Sequence, residues 1–164
     1  MAPPAHRLRG NPESDVASRY GLEIRAATGA DASGLSELLR AAGQRLDPDR
    51  LSQRIEAFRH GTGSALLALE WGPPSGLIVW HAYRSLNADL PTALITTLLV
   101  GPDERRRGIG RLLLKAASQA ARASGCGTIQ LLIGPEQPEL TAFGAATGFS
   151  DIGSLWVRPL RKKT

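Results

Sequence analysis

The sequence predicts a mixed α/β domain, and three features carry that reading. Two apolar runs, Ala65 to Trp71 and Gly76 to Tyr83, flank a Gly72-Pro73-Pro74-Ser75 turn and read as an antiparallel strand pair. A third run, Thr92 to Val100, is rich in Thr, Ile, Leu and Val and reads as a central buried strand. From Gly108 to Ala123 the period becomes helical, with Ile109, Leu112, Leu113, Ala116 and Ala120 on one face and Arg111, Lys115 and Arg122 on the other.

Residues 1–19 are Pro-, Gly- and charge-rich without periodicity and read as a flexible tail, so the domain is expected over 20–160, with a basic tail at 161–164. Leu22-Glu23-Ile24-Arg25 alternates as a short strand. Thr28 to Asp31 then offers capping residues before Leu35, Leu38 and Leu39, whose spacing predicts a helix to about Ala42, ended by Gly43. A second helix starts at Asp47-Pro48, a capping residue followed by proline at the first helical position, and turns Leu51, Ile55 and Phe58 inward. His60 to Gly63 breaks it. Leu86 to Pro91 reads as a loop, Gly101-Pro102-Asp103 ends the central strand, and Ser124-Gly125 ends the long helix. Thr128 to Ile133 is a further strand, Pro138 to Thr147 a short helix, and Leu155-Trp156-Val157 a last strand closed by Pro159, with Trp156 expected in the core.

At 164 residues and 17.4 kDa the chain has the size of one ordinary domain. With 42% hydrophobic and 21% charged residues it falls in the globular class, not the disordered one. No apolar run approaches the roughly 20 residues of a membrane span, and Met1 to Asn11 has no apolar signal-peptide core, so a cytoplasmic location is expected. The lone Cys126 cannot pair internally, and His6, His60, His81 and Cys126 lack zinc-site spacing; no metal is expected. The net charge of +5 is unevenly placed. Residues 1–19 hold three arginines against two carboxylates, net +1, and residues 155–164 hold Arg158, Arg161, Lys162 and Lys163, net +4, which leaves 20–154 neutral. A nucleic-acid footprint would spread basic charge over one face of the domain. Here it gathers instead at Arg105-Arg106-Arg107 with Arg111 and Lys115, which suits a small anionic ligand.

That cluster sits where a buried strand turns into a helix. Free N–H groups at a helix start, with the positive end of the helix dipole, attract anions. Gly108 and Gly110 lack Cβ atoms and let a phosphate approach the backbone, and the arginines add charge-assisted hydrogen bonds. A Walker A loop needs Gly-Lys-Ser/Thr, whereas Gly110 precedes Arg111-Leu112; a Rossmann fingerprint needs a small residue where Leu113 stands. The pattern that fits is Arg/Gln-x-x-Gly-x-Gly/Ala after a strand ending in Val-x-Pro, here Val100-Gly101-Pro102 and then Arg105-Arg106-Arg107-Gly108-Ile109-Gly110.

In these residues the chain resembles the GNAT superfamily of N-acetyltransferases. Gly125 to Leu131 is similar to that family's next strand, and Phe143-Gly144-Ala145-Ala146-Thr147-Gly148-Phe149 to its Phe-Tyr-x-x-x-Gly-Phe segment, so that the resemblance runs from about Leu22 to Leu160. It implies a GNAT-like acyl-CoA N-acyltransferase fold: a central mixed, mostly antiparallel, twisted sheet with flanking helices. It also implies acetyl-CoA as co-substrate, with Leu98, Leu99 and Val100 offering main-chain groups to pantetheine. Arg105, Arg106, Arg107, Gly108, Ile109 and Gly110 would hold the pyrophosphate, and Arg111 or Lys115 would reach the 3′-phosphate.

The resemblance breaks at the groups that move protons. Gly144 stands where the family's usual general acid, a Tyr, is found, and Thr96 and Thr97 stand where a carboxylate commonly acts as base. Glu70 and His81 are the remaining candidates for a catalytic role, ahead of Tyr83 and Asp89, because histidine titrates near neutral pH and Glu70 ends a strand. The short link from Phe149 to Leu155 trims the expected acceptor wall and leaves room for a second subunit, a possible homodimer. The sequence therefore points to an acetyltransferase acting on a primary amine of a small molecule or peptide. The alternative is an acyl-CoA-binding sensor that has lost catalysis, and neither nucleic acid nor membrane is expected as partner.

Overall fold

The computed structural model describes residues 21–161; the tail expected at 1–19, the expected domain start at Tyr20 and residues 162–164 lie outside them. The chain forms two compact units, one running to Leu132 and one from Ile133.

The first unit is built on one five-stranded sheet. Its strands are β1 (Glu23–Ala26), β2 (Gly63–Leu69), β3 (Gly76–Tyr83), β4 (Thr92–Val100) and β5 (Thr128–Leu131), in the spatial order β1-β2-β3-β4-β5. Each of the first three pairings is antiparallel, while β4 and β5 run parallel because helix α3 (Ile109–Ala123) crosses between them. The expected mixed, mostly antiparallel sheet is thus present, and it is open at both edges.

Alternation along the strands divides the sheet into two apolar faces. Leu67, Leu77 and Val79 pack on one face with Leu35, Leu38 and Leu39 of α1 (Ala32–Ala41) and with Leu51 and Ile55 of α2 (Pro48–Arg59). The other face receives α3 through Ile109, Leu113, Ala117 and Ala121, four residues apart and all at most 3% exposed. Gly76 allows that helix to come close, since a Cβ there would lie 2.8 Å from Leu113 Cδ1 and 3.1 Å from the Leu99 carbonyl.

Polar contacts fix the ends of the elements. The Asp31 carboxylate caps the turn before α1, accepting from the Thr28 N–H at 2.8 Å and from both terminal nitrogens of Arg25 at 2.8 and 2.9 Å. The Arg25 guanidinium holds the Asp31 pKa down to about 2. Asp47 caps α2 as expected, with Pro48 at the first helical position.

The bounds of two expected strands are corrected. β5 ends at Leu131, two residues short of the expected Ile133. β2 begins at Gly63 and ends at Leu69, two residues earlier at each end than the apolar run, because Gly63 pairs with His81 and the Ser75 N–H and hydroxyl close onto the Ala68 carbonyl. Glu70 and Trp71 therefore lie in the turn, and Trp71 is 90% exposed.

The second unit holds α4 (Pro138–Ala146), which carries Gly144 as a buried residue. The last strand expected at Leu155-Trp156-Val157 is absent, and Trp156 is 92% exposed instead of in the core. A strand exists only by pairing. Among the described residues of this unit there is no second strand, and Gly153 and Pro159 bracket the tripeptide.

Candidate active site

The central strand is regular only as far as Ile95. There β4 pairs with β5 through Ile95 opposite Leu131, and the Leu132 N–H still reaches the Ile95 carbonyl at 2.9 Å. Beyond it, β4 continues beside β3 alone, with Thr97 opposite Val79 and Val100 opposite Gly76. Thr96 has no partner, since Trp80 faces Ile95 and Val79 faces Thr97; it is a β-bulge.

The bulge decides which main-chain groups point into the gap. The Gly101 N–H bonds the Ser75 carbonyl at 2.9 Å, toward β3, and the Leu99 carbonyl lies on that same side, near Gly76. Alternation then turns the N–H and C=O of Leu98 and Val100 away from β3, toward the side β5 has vacated. Of the three residues expected to offer main-chain groups, Leu98 and Val100 are oriented for it. Leu99 is turned into the sheet, and its side chain packs against the α1/α2 core.

At the end of this open edge the chain makes the expected turn into a helix. A 3-10 turn, Pro102–Glu104, leads to Arg105 in an extended conformation, Arg106 at φ +65°, and Gly108 at φ +78° as the residue capping α3. No side chain caps α3, so the N–H groups of its first turn, at Ile109, Gly110 and Arg111, face the loop. Left-handed residues within a short loop make successive N–H groups converge into a concavity that favours anions. Gly108 has no neighbour within 4 Å of where its Cβ would be, which leaves the mouth of that concavity open. Arg105, Arg106, Arg107 and Arg111 are all exposed around it. Lys115 lies one turn beyond Arg111 on the same helix face and is exposed as well.

The candidate catalytic residues are placed differently. Glu70, just after β2, is brought to the loop: its two oxygens accept from the two terminal nitrogens of Arg107, one at 2.9 Å, and Glu104 accepts from the same guanidinium. Donation to Glu70, then to Glu104, raises the Arg107 pKa. His81 sits elsewhere. It pairs with Leu94, four residues before Leu98 and so about 13 Å away along the strand. Its ring packs against Phe58 of α2, with centroids 5.1 Å apart. Tyr83 donates to Gln130 of β5 at 2.7 Å, and Asp89 lies in an exposed loop.

The sequence reading missed two features here. A Thr-Thr pair inside an apolar strand is a faint sign of a bulge. The Glu104–Arg107 spacing of three was visible, but the partnership with Glu70, 37 residues away, was not. Among the described residues no group of His, Cys, Asp or Glu is arranged to hold a metal ion, and no helix is long and apolar enough to cross a membrane.

Comparison with known proteins gives the same picture. Several solved structures share the fold. A putative acetyltransferase from Agrobacterium tumefaciens str. C58 superposes with a TM-score of 0.73 at 25% identity, covering 84% of this chain and 99% of that one. The enzyme AAC(6′)-Iy, solved in complex with a bisubstrate analog, CoA-S-monomethyl-acetylneamine, gives 0.72 at 18% identity, over 86% and 99%. A ribosomal-protein-alanine N-acetyltransferase from Brucella melitensis biovar Abortus 2308 gives 0.73 at 17% identity, over 85% and 99%. No curated relative matches the sequence significantly. The profile of the Acetyltransferase (GNAT) family, however, matches residues 33–149, most of the chain. With that profile matched over most of its length and the same fold in solved acetyltransferases, the chain belongs to the GNAT acetyltransferase family.

Proposed function

We propose that this protein is an N-acetyltransferase that moves the acetyl group of acetyl-CoA directly onto a primary amine of a small molecule or peptide. The observation that carries the reading is a junction: the unpaired main-chain edge at Leu98 and Val100 runs straight into the N–H concavity at Arg106 to Gly110. A pantetheine arm is an extended diamide that can pair with a free strand edge, and a pyrophosphate is the anion such a concavity suits. The residues present fit acetyl-CoA on both counts. Arg105, Arg106 and Arg111 supply the charge, and Arg111 or Lys115 reaches toward the 3′-phosphate.

In the reaction the amine nitrogen attacks the thioester carbonyl, a C–N bond forms, the C–S bond breaks, and the thiolate leaves and is protonated from solvent. Main-chain N–H groups near Val100 polarise the carbonyl oxygen. The ammonium proton departs through water: both Glu70 oxygens are engaged by Arg107, and His81, opposite Leu94, lies about 13 Å from Leu98, beyond direct reach of an amine held near Val100. Holding the amine beside the thioester supplies much of the rate without a dedicated acid. Residues 20–154 carry no net charge, which supports a small acceptor over nucleic acid.

A second reading, an acyl-CoA sensor without turnover, draws on the absence of an ionisable group at Thr96, Thr97 and Gly144. Calorimetric titration with acetyl-CoA, followed by coenzyme A release assayed against a panel of amines, separates the two. Steady release with any amine removes the sensor; tight binding without release removes the enzyme. Gly108→Val is the control for the site. A β-branched residue at φ +78° strains the backbone by about 1–2 kcal/mol and covers the N–H groups, so binding should fall at least tenfold while the protein still folds. Undiminished binding would mean the loop is not the phosphate site.

A further inference from the structure

Arg107 lies in the middle of the phosphate-binding loop, yet its charge is already answered. Glu70 grips the guanidinium with both carboxylate oxygens and Glu104 takes one of the same nitrogens, so two negative groups face one positive one. The Glu70 side chain is the least exposed of the three, at 18%, against 35% for Glu104 and 48% for Arg107. It also sits on a different part of the fold. Glu70 follows β2, two strands away from β4, whereas Arg107 and Glu104 belong to the connection between β4 and α3.

The position of Arg107 makes this contact consequential. It is flanked by Arg106 at φ +65° and Gly108 at φ +78°, the two left-handed residues that form the concavity. An L-residue in that region is unfavourable unless its surroundings hold it there. The start of the connection is held at Gly101, whose N–H bonds Ser75. Near its end, the Arg107 side chain ties the connection back to the turn after β2.

We infer that Glu70 is a positioning residue: through Arg107 it holds segment 105–108 in its anion-binding conformation, and Arg107 serves as a strut, not as a phosphate ligand. This rests on the proposed coenzyme A site and refines it, assigning phosphate charge to Arg105, Arg106 and Arg111 and removing Glu70 from proton transfer. A bidentate guanidinium–carboxylate pair fixes direction as well as distance, which is what a strut requires.

The test is a double-variant cycle on the full chain, with coenzyme A affinity read by calorimetry and the unfolding midpoint measured without ligand. Glu70→Gln, Arg107→Met, the double variant, and a charge-swapped pair, Glu70→Arg with Arg107→Glu in a Glu104→Gln background that removes the carboxylate otherwise facing the new one, are compared with the unaltered protein. Expected is a loss of affinity of about five- to thirtyfold in Glu70→Gln, a similar loss in Arg107→Met, and no further loss in the double variant, since both act through one contact. The swapped pair should recover affinity, which rules out a general loss of folding as the cause even if a single variant is unstable. Affinity unchanged in Glu70→Gln overturns the inference. So does tighter binding, which would show that Glu70 withholds Arg107 from the phosphate, and so do losses that multiply in the double variant, which would make Arg107 a direct ligand. Failure of the unaltered protein to bind coenzyme A is a separate result that defeats the site itself.

Discussion

Replacing Arg106 by Gly and by Ala tests whether the loop's conformation is built into the backbone. Arg106 holds φ +65°, where an L-residue pays about 1–2 kcal/mol for the approach of its Cβ to the following carbonyl. Alanine keeps that Cβ and keeps the cost; glycine loses it. Glycine also frees the unfolded chain, which works against it by about 0.5–1 kcal/mol relative to alanine. The difference leaves Arg106→Gly more stable than Arg106→Ala by about 1 kcal/mol, or about 2–4 °C in Tm for a protein of this size. At an ordinary position the sign is the reverse, so the order of the two variants carries the result. Urea denaturation followed by circular dichroism, with equal slopes for the two variants, is the assay. If Arg106→Ala is as stable as Arg106→Gly, or more so, the left-handed loop is not the solution conformation, and the N–H concavity loses its basis.

Two further outcomes follow from the packing and the charges. Gly76→Ala forces a Cβ against Leu113 Cδ1 at 2.8 Å and the Leu99 carbonyl at 3.1 Å; it should cost about 1–3 kcal/mol and lower the Cm in urea, and an unchanged Cm would mean that α3 lies farther from the sheet. Asp31→Asn should destabilise by about 1 kcal/mol at neutral pH, a figure kept low because Arg25 is 37% exposed. Because the Asp31 pKa is depressed, from 3.8 to about 2, its contribution is fully present above about pH 4 and is lost as pH falls toward 2. The stability gap between Asp31→Asn and the unaltered chain should close over that window, and a gap that persists at pH 2 would refute the pairing with Arg25.

Much of the fold was legible because local patterns and tertiary packing agree. Leu35, Leu38 and Leu39 face the core as their spacing requires, and Ile109 and Leu113 begin the buried stripe of α3. The geometry of the candidate loop was legible for the same reason: strand, turn, glycines and arginines are contiguous in sequence. What escaped depends on partners distant in the chain. Glu70 read as a strand-end carboxylate because nothing near it announces Arg107. Leu155 to Val157 reads as a strand by composition, but composition cannot supply a neighbour to pair with.

The bulge at Thr96 works as a phase shift in the strand. A β-strand alternates with a period of two, so one extra residue exchanges the roles of every position after it. Were Thr96 paired in regular register and not bulged out, Leu99 would present its main chain to the gap, and Leu98 and Val100 would turn inward. Deleting this single residue would join Ile95 to Thr97, whose partners Trp80 and Val79 are already adjacent, so it should remove the bulge while leaving Leu99 opposite Leu77 and its side chain in the α1/α2 core; pairing Thr96 in regular register is what would invert the C-terminal half. The strand thus carries two registers in one continuous chain, one paired on both sides up to Ile95 and one with an open edge from Thr97, with one threonine as the switch point between them.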